Sequence, residues 1–183
     1  MPMRVMQKTL QILKQRQALV DLYRDHLSSE SLSGVVTDYS EDFVYLSLFT
    51  EAGQANGIAV CFRSDITRIR WEGNERQALS QMIEATGAKP TAPALSLDSL
   101  QSVLDSVSAT FGYVNVLTER MDDSVTFIGE IAELDAESLL LETFGTYSSR
   151  DRSRLWLSLA EITRIDADAA YERSVVYLAG KPA

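Results

Sequence analysis

Asp65-Ile66-Thr67-Arg68-Ile69 recurs as Glu161-Ile162-Thr163-Arg164-Ile165. A five-residue echo means little alone; the flanking residues give it weight. Upstream of the first copy lie Gly34-Val35-Val36, Phe43-Val44-Tyr45-Leu46 and Ile58-Ala59-Val60. Upstream of the second, in the same order, lie Gly129-Glu130-Ile131, Ser138-Leu139-Leu140-Leu141 and Leu155-Trp156-Leu157. The two series stay in step apart from one inserted or deleted residue before the fourth run, which predicts an internal duplication.

Each copy reads as five short strands. The first places apolar and β-branched runs near 18–24, 31–39, 42–49, 57–63 and 65–71; the second near 113–119, 124–134, 137–144, 153–159 and 161–166. Turn-forming residues separate them, among them Ser28-Ser29-Glu30, Ser40-Glu41, Asp122-Asp123 and Asp135-Ala136. Short strands joined by tight turns suggest a small barrel, which leaves no exposed sheet edge.

Helical periodicity brackets both sets. Met6, Leu10 and Leu13 recur at helical spacing in 3–16. Asn74 can cap a helix bearing Leu79, Met82 and Ile83, with Gly87 at its end. Ser96 or Asp98 can cap a helix with Leu97, Leu100, Leu104 and Val107 on one face. Asp166 or Asp168 can start a last helix through Tyr171, Val175 and Leu178, ending at Gly180. Lys89-Pro90-Thr91-Ala92-Pro93 reads as a linker. The expected organisation is a mostly β, α+β chain: helix, first barrel and helix over 1–88, a linker at 89–95, and helix, second barrel and helix over 96–183.

This pattern resembles the Sm-like (LSm) family, which has a helix followed by five strongly bent strands. Gly34, Val36, Tyr39, Ser40 and Phe43-Val44-Tyr45-Leu46 look like its first motif. Phe62-Arg63-Ser64-Asp65-Ile66-Thr67-Arg68-Ile69 resembles the second, in the form of the bacterial Sm-like RNA chaperone. SH3-like, Tudor-like and PRC barrels share parts of this pattern. The resemblance implies edge pairing between neighbouring subunits, with Ile58–Phe62 and Leu155–Leu159 as candidate strands. It also implies an RNA site at the turn between strands four and five. There the chain departs from the family: Val44 replaces an Asn, Ser64 replaces a His, and the second copy reads Leu157-Ser158-Leu159-Ala160 with no cation. Tyr39, Phe62, Arg63 and Ser64 are the first copy's candidates for contacting RNA or another ligand.

Composition narrows the function classes. The chain has 183 residues, 45% hydrophobic, with 17 basic and 26 acidic side chains and a net charge of −9. Its apolar runs are too short to span a bilayer, and no signal peptide is evident. The single cysteine allows no intrachain disulfide and fits a reducing cytoplasm. One His and one Cys leave almost no zinc site or catalytic triad to build, so no metal, cofactor or enzymatic activity is expected. The acidic balance disfavours RNA, although residues 1–26 carry Arg4, Lys8, Lys14, Arg16 and Arg24 and a net +3.

Other constellations read blandly. Arg150, Arg152 and Arg154 form a basic cluster in a hairpin loop, able to hold phosphate or carboxylate but ordinary as a solvated loop. His26 reads as a turn residue, Cys61 as a buried small hydrophobe, and Trp71 and Trp156 as core or interface anchors. The expected function is a non-enzymatic binding or assembly module that engages a protein partner or itself. RNA binding through the first repeat and the N-terminal helix is the alternative.

Overall fold

The computed structural model describes residues 3–181. The chain divides into two compact units, residues 1–92 and 93–183.

In the first unit, α1 (Met3–Arg16) precedes β1 (Leu19–Tyr23), β2 (Leu32–Tyr39), β3 (Phe43–Phe49), β4 (Ala55–Phe62), β5 (Arg68–Trp71) and α2 (Asn74–Thr86). The strand order is β5-β1-β2-β3-β4, and each pairing is antiparallel. Leu10 and Leu13 of α1 are buried against Val20, Leu22, Val36, Val44, Leu46 and Cys61, with Met6 beside them. This is the helix face that the periodicity indicates. Burying such side chains contributes roughly 1.5–3 kcal/mol each before entropy is counted. A bulge between Val36 and Asp38 bends β2. A single 3-10 turn, Arg63–Asp65, replaces the start of the expected fifth strand.

The second unit runs α3 (Leu100–Phe111), β6 (Val114–Leu117), β7 (Thr126–Leu134), β8 (Ser138–Thr143), β9 (Arg154–Ser158), β10 (Arg164–Ala167) and α4 (Ala170–Leu178). Its order is β10-β6-β7-β8-β9, again antiparallel. A bulge between Ile131 and Glu133 bends β7, and a 3-10 turn occupies Leu159–Glu161. Val103, Leu104 and Val107 of α3 are buried, and the helix packs on β6, β7 and β10.

The expected pair of five-stranded barrels is not formed. Within each unit the five strands stand in an open antiparallel order, β5-β1-β2-β3-β4 in the first and β10-β6-β7-β8-β9 in the second. In each unit the fifth strand pairs with the first, and among the described residues no pairing joins the fourth strand to the fifth. Apolar alternation and turn residues specify strands and their sequential partners. Closure depends on whether the outermost strands meet, which alternation does not encode. With the barrels goes the main structural ground for the Sm-like expectation.

Several local expectations also shift. Ser99, not Ser96 or Asp98, caps α3, exchanging hydrogen bonds with Ser102 through Ser99 N–H to Oγ (2.9 Å) and Ser102 N–H to Oγ (3.1 Å). Gly73 caps α2, and Asn74 is its first helical residue. Met82 is exposed and only Leu79 of α2 is buried. In α4 the buried face is Glu172, Val175 and Val176, whereas Tyr171 and Leu178 point outward. Among the described residues no helix is long and apolar enough to cross a membrane.

Candidate functional site

The first-unit candidates gather around the β2–β3 turn, but chiefly to hold it together. Arg63 is buried, 4% exposed. Its backbone N–H donates to Asp42 O (2.8 Å) and its Nη1 donates to Ser40 O (2.7 Å). Its Nε and Nη2 find no hydrogen-bond partner among the described residues. Phe62 packs on Phe43, with ring centroids 4.9 Å apart. Ser64 is exposed on the 3-10 turn. Tyr39 lines a shallow groove with Gln11, Lys14 and Asp38, where Lys14 pairs with Asp38 at 2.7 Å. The guanidinium that the sequence offers to a ligand is thus spent on a backbone clamp. In the second unit Leu159 occupies the corresponding place, and its N–H donates to Glu137 O at 2.9 Å.

The arginine loop behaves differently. Arg150, Arg152 and Arg154 are all exposed. Arg154 pairs with Glu142 at 3.1 Å, and the Arg152 guanidinium lies 5.3 Å from the centroid of the Phe144 ring. Arg150 has a left-handed backbone (φ 50°) within the loop. His26 is exposed in a turn and Cys61 is buried, both as expected.

Phe144 leads to a cavity of the second unit. It measures about 540 Å³ and is walled by Phe111, Tyr113, Phe144 and Val176. Glu130, Asp168, Arg173 and Lys181 also line it. Lys181 Nζ pairs with Glu130 at 2.8 Å; Arg173 Nη1 donates to Asp168 O (3.1 Å) and lies 3.4 Å from its carboxylate. Asp168 is left-handed (φ 66°), but so is Glu72 (φ 70°) in the corresponding strand-to-helix turn of the first unit. The conformation therefore belongs to the turn and not to the cavity.

The second unit also holds a buried polar network. Asn115 Nδ2 donates to Glu172 Oε1 and Ala169 N–H donates to Glu172 Oε2, both at 2.7 Å. Thr126 hydrogen-bonds Asn115. Arg164 grips Asp166 (2.8 Å) and reaches Glu119 (3.4 Å), which accepts from Thr163 Oγ1 (2.7 Å). Burial, reinforced by the nearby Asp166 carboxylate, pushes the Glu172 carboxyl up to about 7. In the first unit the corresponding strand and helix positions hold Asp21 and Arg76, an ion pair at 2.7 Å. Sequence reasoning misses this network: its members are scattered single polar residues, and no short motif marks them.

β5 is a terminal strand of the first unit's order and β9 a terminal strand of the second's. β5 carries Arg68 and Arg70, which pair with Asp25 and Asp21. β9 contains the uncharged run Leu155-Trp156-Leu157, and Trp156 is 64% exposed. Ser153 O accepts from Thr143 N–H, and Leu159 N–H donates to Glu137 O, so odd-numbered residues of β9 bond towards β8. Alternation leaves the N–H and C=O groups of Arg154, Trp156 and Ser158 pointing away from β8.

No family model, curated protein or solved structure matches the chain. Nothing in these comparisons identifies the Sm-like family.

Proposed function

We propose that the protein is a non-enzymatic assembly module that self-associates through the β9 edge. The supporting observation is the terminal strand itself: outward backbone groups beside an uncharged Leu155-Trp156-Leu157 run with an exposed tryptophan. Edge strands are normally blunted by charge, and tryptophan is enriched among residues that dominate binding energy. β5, a terminal strand of the first unit, is guarded, with two arginines in four residues. Antiparallel pairing of β9 with β9 of a second copy, centred on Trp156, sets Arg154 opposite Ser158. No like charges then face each other, and the contact closes as a twofold dimer. The single buried Cys61 is compatible with the reducing cytoplasm as the working compartment.

Sedimentation velocity on the wild type, Trp156→Lys and Trp71→Lys tests this. The wild type moves from the 20.3 kDa monomer towards twice that mass as concentration rises. Trp156→Lys stays monomeric, and Trp71→Lys behaves as wild type. A wild type that is monomeric throughout, or an unaffected Trp156→Lys, overturns the proposal.

A further inference from the structure

We infer that the second-unit cavity binds a small aromatic zwitterion, of the class of a free aromatic amino acid. This inference is independent of the strand-edge proposal. At about 540 Å³ the cavity lies within the range of small-molecule sites. Its walls are aromatic: the Phe111 and Tyr113 rings stand 6.5 Å apart, tilted by 56°, with Phe144 also in the lining. A flat ring entering there makes edge-to-face contacts that an aliphatic chain does not.

The polar groups select the charge. Glu130 and Asp168 supply carboxylates; Arg173 and Lys181 supply cations. Both ion pairs are partly solvated, with side-chain exposures of 47% and 28% for Arg173–Asp168 and 37% and 33% for Lys181–Glu130. Pairs of this kind hold each other weakly and can turn towards a ligand. A ligand with one charge meets two lining groups of its own sign. A ligand with adjacent ammonium and carboxylate groups satisfies both sets, the carboxylate on Arg173 and the ammonium on Asp168 or Glu130. Arg152, over the Phe144 ring, adds a cation beside the aromatic wall.

Isothermal titration of the full chain with four related probes decides the matter: phenylalanine, phenethylamine, 3-phenylpropionate and alanine. The expected result is measurable binding of phenylalanine, weakened about tenfold or more when either charge or the ring is removed. Arg173→Gln, at a half-exposed position, weakens phenylalanine by a similar factor while leaving the melting temperature near wild type. Thr110→Trp, at an exposed lining position, obstructs the cavity and abolishes binding. The inference is overturned if phenylalanine does not bind at millimolar concentration or if a singly charged probe binds as well. It is equally overturned if both variants bind phenylalanine like the wild type.

Discussion

Glu172 holds its proton at a pH where an ordinary glutamate has lost it, because α4 buries the carboxyl beside Asp166. Below its ordinary value of 4.5 the group is protonated whether the chain is folded or not. Between 4.5 and about 7 only the folded chain keeps the proton, so its contribution to stability is lost as pH rises through that window. Thermal melts from pH 4.5 to 7.5 are expected to show a declining component in the wild type that is absent in Glu172→Gln; equal slopes in the two proteins contradict this assignment. Asp25 has the opposite sign. The Arg68 guanidinium and Thr67 hydroxyl hold its carboxyl well below the ordinary 3.8, so its contribution is lost only in stronger acid. Gly34 and Gly129 make a second prediction at this scale. A methyl group on either would overlap a carbonyl oxygen of the facing strand, that of Ser47 or Glu142. Urea denaturation is expected to show Gly34→Ala and Gly129→Ala each destabilised by about 1–3 kcal/mol. These glycines were legible in the sequence as the start of a strand motif. Glu172 was not, because an isolated acid in an amphipathic helix looks like part of a solvated face.

At the scale of elements the sequence was most informative where apolar runs lie between clear turns. The core stretches of β2, β3, β7 and β8 fall inside the expected runs, because each is an apolar or β-branched run between recognisable turns. The fifth strand of each unit starts three residues late: a 3-10 turn takes Arg63–Asp65 and Leu159–Glu161, at the junction of the expected fourth and fifth runs. Arg63 appears in the sequence as a ligand-facing cation and proves to be a buried clamp on the β2–β3 turn. Since Leu159 holds the corresponding turn by its backbone alone, Arg63→Leu is expected to keep stability within about 1 kcal/mol of wild type. A fall of several kcal/mol in a denaturant titration would show that the Ser40 contact matters more than the cost of burying the guanidinium.

Across the whole molecule, apolar runs and turns indicated sheets but not their closure, and the outcome in each unit is an open sheet with ends. Those ends give the net charge of −9 a role. Two copies that approach edge to edge repel each other, so self-association is expected to strengthen severalfold between about 0.01 M and 0.15 M salt, as the screening length falls from about 30 Å to about 8 Å. Capture of RNA by the arginine loop has the opposite salt dependence and weakens over the same range. The most direct test of the edge account is amide hydrogen exchange across β9 as a function of protein concentration. The account predicts that the Trp156 and Ser158 amides, which point away from β8, exchange progressively more slowly as dimer forms, while those of Leu155 and Leu157 stay protected throughout. Exchange at Trp156 and Ser158 that is equally fast at every concentration would contradict it.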